Sequence, residues 1–446
     1  MHIQTKNIAI AGLTGLLTGV SACNPSANKS KTSDTPPNII IIMADDLGYN
    51  DLGCYGSDII NTPNIDLLAV EGLKFTDYHS NGAVSSPTRA ALITGKYQQR
   101  SGVEGVVTTG KFRDYGIDIN AYTIADFFKE NGYATGIAGK WHLGYKTEYN
   151  PVNFGFDFFK GYVSGNVDFH SHIDGAGIYD WWLNKDTIIE EGYSTDLITK
   201  NSIDFIEKNS DQPFFLYVAH EAPHFPYQGR NDKADRTVGG KFEMKGSRKD
   251  KKGAYKEMVE VMDEGIGDII SSLEDEGILE NTFIFFCSDN GAVNLGSNYP
   301  LNNFKSTLWE GGHRVPAIAY WKSRIEPGIT DETMLGMDIF PTVAGISGKL
   351  VEKLTDLDGK DFSPVIFHGK QMEERVVFWR FKDRKAVRQG DWKLLIDKDS
   401  TYLFNLSNDI SEQNNLMQQN KAISDSLEQL LQKWETEMDN YPKTIY

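Results

Sequence analysis

Five short apolar runs, at residues 38–43, 134–137, 214–218, 283–287 and 317–320, punctuate this chain. Each is too short for a stable helix and apolar at successive positions, the pattern of a strand buried on both faces. Helical periodicity fills the intervals, at 122–131, 196–208 and 255–274. Such alternation predicts an α/β fold: a large, mainly parallel sheet sandwiched by helices, with all five runs as parallel strands. Beyond about residue 350 the spacing tightens. Strand candidates at 376–381, 385–388, 392–396 and 402–405 are joined by turn signals at Gln389-Gly390-Asp391 and Asp397-Lys398-Asp399. This is meander spacing, and 423–434 adds one amphipathic helix. The expectation is a large domain over 38–350 and a small C-terminal α+β subdomain over 351–446, carrying an antiparallel sheet and one long helix. At 446 residues the chain is long enough to bury both.

The amino terminus reads differently. Lys6 precedes an apolar stretch, 8–20, too short to span a bilayer. It ends in Val20-Ser21-Ala22-Cys23, which resembles a bacterial lipoprotein signal with cleavage and lipidation at Cys23. Residues 1–22 then form the signal peptide, and 23–37, rich in Ser, Asn, Lys, Thr and Pro, a flexible tether. The chain is expected to be exported, periplasmic or anchored at the outer membrane, and held to the membrane by a lipid on Cys23. Of the other cysteines, Cys287 closes an apolar run and reads as a buried small hydrophobe; with Cys54 alone it makes no disulfide framework. The formal net charge of −17 argues against nucleic acid as a partner. An anionic substrate would need a local positive pocket.

Several strand ends carry chemistry. Asp45-Asp46 follows the first run and Asp289-Asn290 the fourth. Open α/β sheets bind ligands outside the carboxyl ends of their strands, and adjacent carboxylates repel unless a cation or hydrogen bonds neutralise them. Either pair alone also reads as a turn or a helix cap. Together they offer four oxygen donors, a set suited to a hard divalent cation such as Ca²⁺. Lys140 and His142 follow the 134–137 run and, two apart on an extended stretch, point to one side. Ala219-His220-Glu221-Ala222-Pro223-His224-Phe225-Pro226 is a loop made irregular by its prolines. Ser85-Ser86-Pro87-Thr88-Arg89-Ala90-Ala91-Leu92-Ile93-Thr94-Gly95 reads locally as a Pro-initiated helix stopped by glycine. No acid or histidine stands in that run to activate Ser85 as a nucleophile.

In this order the motifs resemble those of the type I, formylglycine-dependent sulfatases, arylsulfatase-like members of the alkaline-phosphatase-like superfamily. The resemblance rests on Ser85-x-Pro87-x-Arg89 with Thr94-Gly95, the early Asp-Asp, Lys140-x-His142, His224 ahead of Pro226, the late Asp-Asn, Lys305, and Gly311-Gly312-x-Arg314-x-Pro316. It runs from about residue 37 to the carboxyl terminus. Thr88 stands where serine is frequent and Lys96 where arginine often follows Thr-Gly. The resemblance implies hydrolysis of sulfate esters. It implies that Ser85 is oxidised to formylglycine (3-oxoalanine) by a radical-type sulfatase-maturing enzyme. It implies one Ca²⁺ held by Asp45, Asp46, Asp289, Asn290 and residue 85. Arg89, Lys140, His142, His224 and Lys305 would complete the catalytic set, with His142 acting on the formylglycine hydroxyl and His224 or Lys305 protonating the leaving oxygen. These cations would offset the anionic ester oxygens that repel a nucleophile.

Two other readings stand beside it. A phosphomonoester or phosphodiester hydrolase of the same superfamily would use an unmodified Ser85 and two transition metals. A lipoprotein with a dead site would bind sulfated glycan without turnover. For the enzyme, export points to sulfated polysaccharide or oligosaccharide as substrate. Segments 168–172, 180–182 and 378–380 are candidates to shape its pocket, with His172, His313 and Arg380 as substrate contacts. The basic run 241–252 is a candidate guide for polyanions.

Overall fold

The computed structural model describes residues 35–349, 352–442 and 445; the signal, Cys23 and nearly all of the tether lie outside the described residues. Residues Pro36–Tyr446 form one compact unit around a ten-stranded sheet. At its centre Asn38–Ala44 runs parallel to Phe214–Ala219 on one side and to Thr282–Ser288 on the other. Ala134–Lys140 and then Phe158–Tyr162 continue the parallel arrangement outward. The Ile39–Ile42 run shows why these segments are strands. Ile39 and Ile41 point into one apolar layer and Ile40 and Ile42 into the other, all fully buried. An alternating side-chain direction satisfied on both faces is available only to the middle of a sandwiched sheet.

One layer receives Leu92 and Ile93 of helix Ser85–Thr94, Phe127 and Phe128 of Ile124–Glu130, and Phe340 and Val343 of Ile339–Ile346. The other receives Ile198 and Phe205 of Ser194–Lys208, and Met258 and Met262 of Lys251–Asp275. One expectation is corrected and one strand was missed. Ala317–Tyr320 is a strand of this sheet but pairs antiparallel with Thr282–Ser288; a four-residue apolar run carries no sign of direction. Phe158–Tyr162 was not anticipated, because its lysine and glycine interrupt the apolar pattern. Cys54 and Cys287 are both free.

The C-terminal strands Val376–Phe381, Arg384–Gln389, Trp392–Asp397 and Ser400–Asn405 form an antiparallel meander in sequence order. Helix Lys421–Met438 packs Leu427, Leu431 and Trp434 against it. The same apolar cluster contains Ala83, Val84 and Ala91, so the meander buttresses the start of helix Ser85–Thr94. The Trp379 indole N–H donates to the Ser80 carbonyl at 2.9 Å, tying the meander to the segment that leads into Ser85.

Candidate active site

The strand registers level three carboxyl ends. Met43 lies opposite Ala219 and Cys287, and Ala44 opposite Ser288. The chain therefore leaves the sheet at Asp45-Asp46 and Asp289-Asn290 side by side. The Asp289 N–H donates to the Ala44 carbonyl at 3.1 Å, and the Asp46 N–H to Asp289 Oδ1 at 3.2 Å. All four residues are buried. Lys140 is the last residue of its strand, and His224 sits in the loop beyond Phe214–Ala219.

Ser85 opens helix Ser85–Thr94, whose buried first turn has N–H groups without intrahelical acceptors and a dipole that favours negative charge. Its hydroxyl donates to Asp45 Oδ1 at 3.0 Å and accepts from Lys140 Nζ at 3.4 Å. Lys140 Nζ also donates to Asp45 Oδ2 at 2.5 Å. One turn along, Arg89 reaches Asp289 Oδ2 at 2.9 Å and lies 3.9 Å from Asp45 Oδ2. Lys305 Nζ donates to Asp46 Oδ1 at 2.5 Å, and Asn290 Nδ2 to the same oxygen at 2.7 Å. Asp46 Oδ2 and Asn290 Oδ1 are buried without a hydrogen-bond partner. Buried oxygens left unpaired are costly.

The electrostatics follow from burial and these contacts. Burial would raise the Asp46 carboxyl, but the Lys305 ammonium and His224 beside it hold it below its ordinary value. Burial pulls Lys140 down, with Asp45 opposing. It lowers Lys305 too, yet Asp46, Asp45 and Asp289 outweigh it and keep that ammonium above its usual range. Burial, reinforced by the Lys140 and Arg89 charges, drives His142 well below the normal histidine value, and burial takes His224 down to about 3. Both imidazoles are therefore neutral near pH 7, and their tautomers are set. His142 Nε2 faces the Val107 carbonyl at 3.0 Å and must carry the proton, leaving Nδ1 as a buried acceptor with no partner. His224 Nδ1 faces the Phe225 carbonyl at 2.6 Å, leaving Nε2 as its acceptor, 3.8 Å from Asp46.

Among the ten core residues of the site, Asp46 at φ 67° and His142 at φ 59° are held in left-handed backbone conformations. Each costs about 1–2 kcal/mol for a non-glycine residue. Asp46 keeps its conformation because both its N–H and its carboxylate are bonded across the strand ends.

Above this floor opens a cavity of about 640 Å³ lined by Ser85, His142, His224 and Lys305. Arg89, Lys140 and the four oxygen donors lie beneath it, so all ten residues expected at the core of the site are brought together. The three expected substrate contacts are not. His172 is fully buried, stacks on Trp181 at 4.4 Å and faces the Gly192 carbonyl at 3.1 Å. His313 is fully buried, 3.0 Å from the His79 ring nitrogen and near Lys393. Arg380 is consumed by Glu104 and Asp439 and packs over Trp434. Each satisfies a neighbour in the interior rather than facing the cavity. Asp168 and Asp180 likewise accept backbone N–H groups as loop braces. In the basic run, Arg248 is paired with Asp232 and Glu257.

The walls come instead from segments with no motif: Val107 to Thr109, Lys111, Phe112, Tyr145, Asn166, Phe381 and Lys382. Only the aromatic rings and lysines could have drawn notice, and such residues are common everywhere.

Comparison with known proteins agrees with this geometry. The family model described as Sulfatase matches residues 37–349. N-acetylgalactosamine-6-sulfatase of Canis lupus familiaris is 33% identical over 389 residues, covering 80% of this chain and 71% of that protein. Arylsulfatase A of Homo sapiens is 32% identical over 403 residues, covering 80% and 74%. Among solved structures, Ps i-CgsB in complex with k-i-k-neocarrahexaose superposes with a TM-score of 0.82 at 31% identity, covering 92% of this chain and 95% of that one. With its motifs converging on one strand-end site and its relatives aligned along most of their length, the chain belongs to the sulfatase family and is a sulfuric ester hydrolase.

Proposed function

We propose that this sulfatase acts on sulfated polysaccharide or oligosaccharide, with Ser85 converted to formylglycine and one Ca²⁺ held by Asp45, Asp46, Asp289, Asn290 and residue 85. The observation that carries this reading is the environment of Ser85. Its hydroxyl rests between Asp45 and Lys140, with no histidine as bonding partner among the described residues, so as encoded it lacks the histidine base of a Ser-His hydrolase. Formylglycine, as its hydrate, would supply a nucleophilic hydroxyl and a second hydroxyl whose loss of a proton expels sulfate.

A cation fits the donor set. Asp46 Oδ2 and Asn290 Oδ1 are buried without partners, and ligand atoms of Asp45, Asp46 and His224 lie within 4.8 Å of one another. Oxygen donors from carboxylates and an amide suit Ca²⁺; it would supply charge neutralisation for the nucleophile and the sulfate oxygens. The presence of His224 in that group is the one feature favouring the phosphoester reading with transition metals, and metal analysis separates the two.

The chain's own residues then have distinct tasks. Arg89, Lys140 and Lys305 concentrate positive charge in a buried setting, where it acts strongly on an anionic ester. His142, neutral and with Nδ1 unpaired, is placed to accept a proton from residue 85. Lys305, kept protonated by three carboxylates, is the better donor to the leaving oxygen; His224, neutral with its acceptor nitrogen toward the site, can receive a hydrogen bond or ligate a cation but cannot donate. Carbohydrate as substrate draws support from the sugar sulfate in the name of the 33%-identical relative and from the neocarrahexaose bound by the 31%-identical neighbour. Export and anchoring through Cys23 are part of the same proposal, because such polymers are met outside the cytoplasm; Cys23→Ala should release the protein from the membrane fraction.

The test is mass spectrometry of the peptide containing Ser85, in protein made with and without a radical-type maturing enzyme. The matured peptide should be lighter by two hydrogens, and sulfate release should track that fraction. Full turnover from protein with unmodified Ser85 would refute the mechanism.

A further inference from the structure

The cavity lining includes Lys111, Lys305 and Lys382 and not one aspartate or glutamate. That is unexpected in a chain with 62 acidic and 45 basic residues. Lys305 is engaged at the floor, 2.5 Å from Asp46. The other two are exposed, and each lies beside an aromatic ring that also lines the cavity. Lys111 Nζ is 4.6 Å from the Phe112 ring centroid, and Lys382 Nζ is 5.1 Å from that of Phe381.

Lys382 is placed there by the fold in an unfavourable way. Phe381 pairs with Arg384, so Lys382 and Asp383 are the two-residue tip of the hairpin joining Val376–Phe381 to Arg384–Gln389. Lys382 has φ 56°. Such tips favour glycine, asparagine and aspartate, which tolerate the left-handed region. A lysine held there, at the mouth of a catalytic cavity, is a strained residue at a functional position. The C-terminal meander thus delivers a cation to a site whose floor is built by the large sheet.

We propose that Lys111 and Lys382 form a second anion subsite at the mouth of the cavity, selecting saccharides that carry an anionic group, sulfate or carboxylate, besides the sulfate ester that reacts. This rests on the sulfatase reading of the Ser85 site. Phe112 and Phe381 are buried and back the two lysines at the cavity wall, so that a second anion on the sugar would meet the ammonium groups. A cleft whose lining carries cations and no carboxylate raises the local concentration of polyanions, in a way that added salt weakens.

The test separates binding from turnover. Full-length protein with Ser85 unconverted is titrated calorimetrically with N-acetylgalactosamine 6-sulfate and with its 4,6-disulfate. The disulfate should bind about three- to tenfold more tightly, and rising NaCl should shrink that advantage. Lys382→Gly should reduce the advantage by about threefold, and the double variant with Lys111→Gln should abolish it. Glycine suits φ 56°, so Lys382→Gly should unfold at no lower temperature than wild type, which excludes misfolding as the cause. A 6-sulfated disaccharide linked to glucuronate distinguishes carboxylate from sulfate as the second anion. Equal binding of mono- and disulfate by wild type, or an undiminished preference in the double variant, overturns the subsite. Absence of sulfate release by matured protein from either sugar would count against the sulfatase reading instead, and leaves the binding result to stand alone.

Discussion

Lys393→Met should be among the most damaging single changes outside the catalytic floor. Lys393, on strand Trp392–Asp397, donates to Glu310 at 2.7 Å and to Glu412 at 2.8 Å, with no solvent access to any of the three side chains. Glu310 opens the short helix Glu310–His313, in the segment that follows Lys305. One ammonium thus joins the meander to the loop carrying a proposed proton donor. Removing it leaves Glu310 with Arg314 at 3.2 Å, and Glu412 with the Glu310 N–H at 2.7 Å. Breaking one partner out of a buried ion cluster costs about 3–5 kcal/mol; the surviving contacts put this case near the lower figure. Adding Glu412→Gln removes the more weakly held charge but keeps an acceptor for the N–H, and should restore about 1–2 kcal/mol. Equilibrium urea unfolding, compared at constant m-value, measures both. A loss under about 1 kcal/mol, or no recovery in the double variant, would refute the reasoning. The cluster also sets a pH dependence. Burial, with the Glu310 charge adding to it and Lys393 opposing, pushes Glu412 up from 4.5 to about 7. A carboxyl raised on folding binds its proton more tightly in the native state. Its stabilisation is therefore complete below about pH 4.5 and is lost as pH rises toward about 7. Glu412→Gln should flatten that part of the stability profile.

Three further outcomes follow from the floor of the site. Gly139→Ala should lower activity sharply, because Gly139 has φ 105° and an added Cβ would lie 2.0 Å from the Ala219 carbonyl oxygen, displacing Lys140; kcat/KM on an arylsulfate reads it. His142→Ala should reduce kcat by about 10²–10⁴ through loss of a proton acceptor, measured in protein whose conversion at Ser85 is confirmed. Chelation should lower both activity and thermal stability, with recovery on adding Ca²⁺ but not Zn²⁺; recovery with zinc alone would favour the transition-metal reading.

Much of the architecture was legible in the chain because the relevant forces are local and periodic. The run Ile39–Ile42 cannot be satisfied by one apolar face, and Thr123 with Asp126 forms a helix-capping box that starts Ile124–Glu130 near where periodicity placed it. Direction was less legible: Ala317–Tyr320 is antiparallel, since strand polarity is decided by the route of the connection rather than by composition. The site motifs were readable for a related reason. Asp45, Asp46, Asp289 and Asn290 follow apolar runs directly, and in a parallel sheet strand ends must gather at one edge.

The substrate contacts were not. His172, His313 and Arg380 looked as available as His224 or Lys305, but burial and pairing with Trp181, His79 and Glu104 take them out of the cavity. Which polar side chain meets solvent and which satisfies an interior neighbour depends on partners far away in the chain. Periodicity and motif order thus determined the α/β sheet, the strand-end oxygen cluster and the sulfatase signature. Tertiary structure alone decided the carbonyl partners of His142 and His224, the pairing of Lys305 with Asp46, and the arrival of Lys382 from the C-terminal hairpin. The division has one physical cause: secondary structure responds to neighbours a few residues apart, whereas the charge state and access of a side chain respond to everything packed around it.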